Sequence, residues 1–304
     1  MSELVKNRQE ILFLYDVTNA NPNGDPVDEN KPRIDEETGI NIVTDVRLKR
    51  TIRDYLSEYK KKDVFIREIR DNNGNLKTKE DRLKDFKNNP ENVLNACIDI
   101  RLFGATTAVE NQTMALTGPV QFKYGKSLHK VDVTYVKGTT VMPSAADRKQ
   151  GTFTERYVLP YSLITFYGIV NENAAITQNI KLTDEDISFM LEGIWNGTKN
   201  LISGSKFGQM PRLLVQVIYK EGNFYLGELD KRISLKSEKI EEKIRDISEV
   251  KVDITNLVKA FINNKNKIEK IQLKVDERIS FTKDGSDVSL KDTLTGLTVE
   301  NFIF

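Results

Sequence analysis

Near its N-terminus the chain places a strand, a turn-rich loop and an amphipathic helix in immediate succession. The apolar run Ile11 to Val17 is typical of a buried strand, and the loop Asn21-Pro22-Asn23-Gly24-Asp25-Pro26 follows it. Thr44 can cap a helix. The apolar face of that helix has helical spacing and consists of Leu48, Ile52, Tyr55, Leu56 and Tyr59. A strand, a loop of small residues and a helix in this order can cradle a phosphodiester backbone.

The same helix carries a cluster of basic residues. On a helical wheel Arg50 and Arg53 lie opposite the apolar face, and Arg47 and Lys49 flank it. Taken alone, this pattern favours a solvated helix face over a nucleic-acid site, because charged faces are usually just solvated.

Composition restricts the kind of partner. The net charge is only +1, so a nucleic acid must be held by a local basic stripe and not by the whole surface. With one cysteine, Cys97, an intrachain disulfide or a cysteine-based zinc cluster is excluded. The absence of a long apolar run and of a signal-peptide core predicts a cytoplasmic protein without a membrane segment.

Further patterns order the remaining elements. Thr183 and Asp186 form a capping box that begins a helix. Strands are predicted at Pro119 to Tyr124, Lys130 to Val136, Tyr157 to Val170, Pro211 to Tyr219, and Phe224 to Leu229 as the partner of the preceding one. The core order is therefore βαββαβ, an α+β fold of the ferredoxin-like or RNA-recognition type.

Seven short motifs follow one another between about residues 10 and 230. They are Asn21-Pro22-Asn23-Gly24-Asp25-Pro26, Pro32-Arg33-Ile34-Asp35, Val43-Thr44-Asp45-Val46-Arg47-Leu48-Lys49-Arg50, Asp99-Ile100-Arg101-Leu102-Phe103-Gly104-Ala105, Thr117-Gly118-Pro119-Val120-Gln121-Phe122, Lys149-Gln150-Gly151-Thr152-Phe153 and Ser205-Lys206-Phe207-Gly208-Gln209-Met210-Pro211. In this order they resemble the CRISPR-associated backbone subunits of type I Cascade complexes, members of the RAMP superfamily, and type I-B most of all.

The resemblance implies a single hand-shaped domain over residues 1–304. Its expected parts are a ferredoxin-like palm (8–59, 99–136 and 156–230), a finger insertion (60–98), a projecting thumb hairpin (137–155) and a C-terminal region (231–304). The pattern of that last region predicts charged helices.

The resemblance also implies a function. Such subunits are non-catalytic, need no cofactor or metal, and polymerise along the CRISPR RNA so that the guide can pair with target DNA in antiviral defence. The implied partners are CRISPR RNA, target DNA, further copies of the chain, and the large, handle-binding and repeat-processing endoribonuclease subunits of Cascade.

Residues suited to RNA fall in three groups. In the first loop and in the loop that follows the Thr183 helix, small donors and one cation are available: Asn21, Asn23, Gly24, Ser205, Lys206 and Gln209. The helix contributes Arg47, Lys49 and Arg50, which can neutralise phosphates without reading sequence. In the thumb segment, Val141, Met142 and Phe153 can either wedge between bases or pack locally.

Other interpretations stay open. An endoribonuclease of a related RAMP fold would use His129 as a base or Asp147 with a metal, although a lone histidine beside lysines is more often a surface residue. Phe13 and Tyr15 could stack on RNA, but the apolar run around them favours the core. Asp25, Asp28 and Asp35 are assigned no metal, because aspartate is common in turns. A third hypothesis is a structural protein whose basic helix meets an acidic partner.

Overall fold

The computed structural model describes residues 3–109, 112–139, 153–220 and 222–304, without the side chains of 107–109 and 112–114. The fold is mixed α+β. Its strands are β1 Gln9–Ala20, β2 Gly24–Asp25, β3 Lys31–Pro32, β4 Ile40–Val43, β5 Gly104–Val109, β6 Gln112–Thr117, β7 Val120–Phe122, β8 Gly125–Lys130, β9 Thr134–Thr139, β10 Phe153–Val170, β11 Gln209–Tyr219, β12 Ser234–Lys236, β13 Lys251–Asp253, β14 Ile268–Val275, β15 Phe281–Lys283, β16 Ser286–Val288 and β17 Val299–Asn301. Its helices are α1 Asp45–Glu58, α2 Lys79–Lys84, α3 Pro90–Ala96, α4 Ile98–Phe103, α5 Glu172–Thr177, α6 Asp184–Lys199, α7 Thr255–Asn263 and α8 Leu290–Thr293.

The main sheet is built around β1. Its strand order is β17-β14-β11-β1-β10-β8-β4, and β7 and β9 also pair with β10. β1 is antiparallel to both β10 and β11, and Phe13 lies opposite Phe166 on one side and Leu214 on the other. The predictions of a buried strand at Ile11 to Val17 and of strands at Tyr157 to Val170 and Pro211 to Tyr219 are confirmed.

One face of the sheet is covered by α1 and α6. Thr44 caps α1 as predicted, and Thr183 and Asp186 form the predicted capping box of α6. The two helices can approach closely because α6 has glycine at the crossing, where a Cβ on Gly197 would lie 3.1 Å from the carbonyl oxygen of Thr51. Phe13 and Tyr15 are buried in the core beneath these helices, which confirms that they belong to the core.

The other face is covered by the C-terminal region, which is not the charged helical region expected from the sequence. Only α7 and α8 are α-helices there; the rest consists of strands and of short 3-10 turns at Leu229–Arg232, Glu241–Lys243 and Ile247–Glu249. Ile244 and Ile247 have helical spacing, yet both are buried against the sheet from extended or 3-10 backbone. Packing against a sheet has here overridden a weak periodic signal.

Two strand predictions need correction. Phe224 to Leu229 does not pair with β11, whose free side is taken by β14. Instead the buried carboxylate of Glu10 accepts hydrogen bonds from the backbone N–H groups of Leu226 and Gly227, at 2.9 and 2.8 Å, and so holds this segment on the sheet. The strand predicted at Lys130 to Val136 is divided between β8 and β9, which flank residues 131–133.

The insertion at 60–98 forms a small unit with its own apolar core. Phe65, Leu83, Val93 and Cys97 are buried together there. A tight turn lies at residues 71–75, with the N–H of Gly74 donating to the carbonyl oxygen of Asp71 at 3.0 Å. Among the described residues, no helix is long and apolar enough to cross a membrane.

Candidate nucleic-acid interface

The two predicted loops lie side by side at the end of β1. The backbone N–H of Asn21 donates to the carbonyl oxygen of Ser205 at 2.8 Å, and that of Thr18 donates to Gly208 at 2.9 Å. Gly208 has φ of +106°, and a Cβ there would overlap the carbonyl oxygen of Thr18, so glycine is required at this close approach. The residues 203–209 are therefore fastened to the first loop, and the structure brings together two groups that the sequence separates widely.

The asparagines of the first loop serve mainly internal contacts. Asn21 is buried, and its Nδ2 donates to the carbonyl oxygen of Asn30 at 2.7 Å. Asn23 Oδ1 accepts from both the N–H and the hydroxyl of Thr44, at 2.8 and 2.9 Å. Gly24 admits no side chain, because a Cβ would overlap Asn30. These residues fix the loop against the start of α1.

Arg47 and Lys206 are the basic residues of the site whose charge is least compensated. Lys206 Nζ donates to the carbonyl oxygen of Asn21 at 2.6 Å, and Arg47 donates to the hydroxyl of Thr51 at 3.1 Å. Both side chains are half-buried, and in the described ranges neither makes an ion pair with a carboxylate. Burial and the nearby Arg47 charge lower the pKa of Lys206 to about 8, and burial also lowers the pKa of Arg47. Two under-compensated cations next to each other attract an anion.

The other basic residues of α1 have acidic neighbours. Lys49 pairs with Asp45 at 2.8 Å, and Arg50 pairs with Asp54 at 2.7 Å. Only Arg50 of these two is largely exposed. Their positive charge is partly cancelled within the helix itself.

Arg53 does not lie on the outer face of α1, which corrects the helical-wheel prediction. It is 7% exposed, and its Nε donates to Asp99 Oδ2 at 2.9 Å. Asp99 also accepts from the backbone N–H groups of Phe65 and Ile66, at 2.8 and 3.2 Å. A wheel assumes that only one face is covered, whereas Asp99 and Phe103 of α4 cover Arg53 on the far side of α1. Conversely Tyr59, placed on the apolar face, is exposed at the end of the helix.

The second loop is contacted by one residue that the sequence interpretation missed. Arg156, on β10, donates to the carbonyl oxygen of Gly204 at 3.3 Å. No local pattern marks it, because it is brought to the loop only by the sheet. Gln209 is buried and donates to the carbonyl oxygen of Lys206 at 3.1 Å, so it supports the loop from within.

The predicted thumb segment is described only at its two ends. β9 and β10 pair from Thr134 with Val158 to Thr139 with Phe153, which makes an antiparallel arm. Phe153 is 64% exposed, with Lys137 Nζ 4.6 Å above its ring. Val141, Met142 and Asp147 lie outside the described residues.

His129 is a buried structural residue, contrary to the expectation of a surface position. It is 1% exposed and stacks on Tyr161, with ring centroids 5.8 Å apart. Its Nε2 accepts from the N–H of Leu163 at 3.2 Å, and its Nδ1 lies 2.7 Å from the carbonyl oxygen of Lys130. Burial lowers the pKa of His129, which favours the neutral ring that this pattern needs.

The acidic residues of the first loop are engaged separately. Asp25 pairs with Arg33 and Asp28 with Lys31, each at 2.7 Å. In the part of the chain that the structure describes, no group of three potential metal ligands comes together.

Known proteins are similar to this chain in sequence or in fold. The family model for CRISPR-associated protein Cas7 matches residues 7–255. A curated relative, the CRISPR-associated protein Cas7 of Haloferax volcanii, is 33% identical in an alignment that covers 90% of this chain and 88% of the relative. A solved chain titled "CRISPR RNA-guided surveillance complex" is similar with a TM-score of 0.54 and 14% identity, over 98% of this chain and 95% of its own.

A second solved chain, titled "CRISPR RNA-guided surveillance complex, pre-nicking", is similar with a TM-score of 0.56 and 11% identity, over 97% of this chain and 96% of its own. At such low identity these two structures support the fold alone. The family model covers most of the chain. The alignment with the Haloferax relative has 33% identity and extends over most of both chains. On these two matches, the chain belongs to the family of CRISPR-associated protein Cas7.

Proposed function

We propose that this chain is a non-catalytic RNA-binding backbone subunit of a type I, I-B-like Cascade complex. It polymerises along the CRISPR RNA and presents the guide for pairing with target DNA. The solved chains with the same fold are titled as parts of CRISPR RNA-guided surveillance complexes, which supports an RNA partner and further Cascade subunits. The proposed site of this activity is the cytoplasm.

The observation that carries the proposal is that two cations, Arg47 and Lys206, lie near each other. The two cations come from different elements and are held in place by hydrogen bonds to Thr51 and Asn21. Fixed cations without a carboxylate partner among the described residues suit a phosphate, which every nucleotide supplies regardless of its base. A guide-carrying subunit has to accept any spacer, and such contacts meet that requirement.

The sheet order supports a ferredoxin-like palm. In the strand order β11-β1-β10-β8, the two middle strands are β1 and β10, the first and third strands of the palm. They are antiparallel, as the βαββαβ arrangement requires. Unlike a classical RNA-recognition sheet, both faces are covered by buried apolar residues. RNA is therefore expected on the loops at the end of β1, with the 60–98 insertion as the finger and the β9–β10 arm as the base of the thumb.

Purification of the full chain from cells that transcribe a CRISPR array tests the proposal. We expect RNA of uniform length to co-purify, and its sequence to be that of repeat-spacer units. The Arg47→Ala/Lys206→Ala double variant should lose most of this RNA, whereas Lys251→Ala, which removes an exposed lysine paired with Asp287 in the C-terminal region, should retain it. A folded native protein that carries no RNA and binds none in solution would overturn the proposal.

A further inference from the structure

A polar cavity lies at the end of β1 that is farthest from the two proposed RNA loops. It has a volume of about 710 Å³ and is lined by residues 3–7, the start of α6, strands β11 and β14, and residues 300–304. β1 runs from Gln9, which lines the cavity, to Ala20, which adjoins the loops. At about 3.3 Å per residue, the cavity and the loops are separated by roughly 35 Å along the strand. The cavity therefore belongs neither to the phosphate site nor to the β9–β10 arm.

Carboxylates outnumber the cations in the lining of this cavity. The charged lining residues are four acids and two lysines: Glu3, Asp184, Glu269, Glu300, Lys6 and Lys270. Lys270 is already paired with Glu300 at 3.0 Å. Within the described ranges, no cation lies at ion-pair distance from any of the other three carboxylates. The cavity thus has an excess of negative charge.

Like charges are crowded around Asp184 in particular. Partial burial, and then the nearby carboxylates of Glu3 and Glu269, raise the pKa of Asp184. Carboxylates that repel one another are stabilised when a cation binds among them. The arrangement therefore favours a bound positive charge at the start of α6.

A buried amide oxygen on the sheet side of the cavity has no donor. Gln216 lines the cavity and is 3% exposed, and its Nε2 donates to Gln9 Oε1 at 2.6 Å. Its Oε1, by contrast, has no hydrogen-bond partner in the described part of the chain. The cross-strand neighbour Gln272 donates to Glu300 instead, at 3.0 Å. Because a buried acceptor without a donor costs free energy, this oxygen favours a ligand that carries N–H groups.

Apolar side chains lie between the charged groups of the cavity. Ile187 and Leu191 of α6 and Phe302 near the C-terminus belong to the same lining. A metal ion needs several oxygen ligands close together, and the described residues contain no such group of three acidic or histidine ligands. An alkylammonium ion suits the lining better, because its charged end has three donors and no acceptor, and its methylene groups can pack against apolar side chains.

We propose that this cavity binds a linear aliphatic polyamine. Its ammonium groups donate to the unpaired carboxylates of the lining and to Gln216 Oε1, and its methylene groups pack against Ile187 and Leu191. Such a ligand joins residues 3–7, α6 and the sheet, so its binding stabilises the folded chain. The inference goes beyond the proposed function, since it requires no RNA.

Isothermal titration calorimetry of spermidine with the full-length protein tests the site. Nucleic acid is first removed with nuclease and high salt, because polyamines also bind the phosphates of RNA. We expect saturable binding of one spermidine per chain, together with a higher melting temperature in its presence. The uncharged control 1,4-butanediol has hydroxyl groups in place of ammonium groups and should not bind.

Two double variants locate the binding. Asp184→Asn/Glu269→Gln removes two charges from the cavity with little change in shape and should weaken spermidine binding about 10- to 100-fold. Glu185→Gln/Glu277→Gln is the matched control, because it removes two exposed carboxylates that do not line the cavity, one of them in the same first turn of α6. It should bind spermidine as the native protein does.

Binding that does not saturate, equal losses in the two double variants, or equal binding of 1,4-butanediol would refute the polyamine site. The site would also be refuted if the native protein bound no spermidine and Asp184→Asn/Glu269→Gln lost a protein partner, since the cavity would then hold a basic side chain of that partner. RNA binding by Asp184→Asn/Glu269→Gln should equal that of the native protein. The proposed function therefore stands or falls independently of this site.

Discussion

Asn23 and Thr44 are joined by two hydrogen bonds, in which one side-chain oxygen of Asn23 accepts from both the backbone N–H and the hydroxyl of Thr44. Thr44 in turn caps α1, so the first loop determines where that helix begins. The asparagine expected to touch RNA therefore contributes by holding the helix that carries Arg47.

Replacement of Asn23 separates these two roles. Asn23→Ala should lower the free energy of unfolding by about 1 to 2 kcal/mol, because it leaves the Thr44 donors without their acceptor. Asn23→Asp keeps the acceptor and should retain native stability, yet its negative charge should weaken RNA binding. Urea denaturation and RNA titration of both variants provide the measurements. Equal RNA affinity for Asn23→Asp and the native protein would place the phosphate away from this loop.

The basic residues of α1 should differ in their contribution to RNA binding. Arg47→Ala should cost more affinity than Lys49→Ala or Arg50→Ala, because Asp45 and Asp54 already offset the latter two charges. Each lost phosphate contact should also reduce the slope of log affinity against log salt by about 1. Titrations at several salt concentrations measure this slope. An unchanged slope in Arg47→Ala would contradict its assignment to a phosphate.

RNA affinity should depend on pH through Lys206. Its pKa is about 8 in the free protein, and a bound phosphate favours the charged form and so raises that pKa. Affinity should therefore be highest below about pH 8 and fall as the pH rises to about 9.5, by at most one log unit per pH unit. Lys206→Arg stays charged over this range and should show a flat profile. Equal pH profiles for the native protein and Lys206→Arg would rule out this titration.

The buried pair of Arg53 and Asp99 should matter for stability and not for RNA. Arg53→Ala leaves a buried carboxylate without its cation and should cost about 3 to 5 kcal/mol in the free energy of unfolding. Arg50→Ala, on the exposed side of the same helix, should cost less than about 1 kcal/mol. Chemical denaturation of both variants tests this. A loss of stability in Arg53→Ala no larger than that in Arg50→Ala would contradict the buried geometry.

His129→Gln should lower the stability of the fold and leave RNA cleavage unchanged, because we expect no cleavage by the native protein. The buried ring accepts from Leu163 and stacks on Tyr161, and neither contact leaves it open to a substrate. We therefore expect the native protein with divalent metal to leave added RNA intact, and His129→Gln to do the same while unfolding at lower denaturant concentration. Metal-dependent shortening of RNA by the native protein, abolished in His129→Gln, would support the endoribonuclease alternative.

The sequence predicts a strand or a helix start well where neighbouring residues alone determine it. The run at Ile11 to Val17 and the caps at Thr44 and Thr183 depend on neighbouring residues, and all three are confirmed. The burial of Arg53 depends on its contacts with Asp99 and Phe103 of α4. That of His129 depends on contacts with Leu163 of β10 and with the carbonyl oxygen of Glu241. Neither the burial of these two residues nor the convergence of Arg156 on the second loop has a local signature, because each results from pairings between distant segments.

Asp99, which directly follows the 60–98 insertion, joins the start of that insertion to α1, since it binds Arg53 and the N–H groups of Phe65 and Ile66. Those two amide hydrogens exchange with solvent when their hydrogen bonds to Asp99 open. Where that opening is local, their exchange rates measure its free energy independently of global unfolding. If the insertion detaches as a unit, the amides of Phe65 and Ile66 will exchange together and earlier than those in the middle of β1.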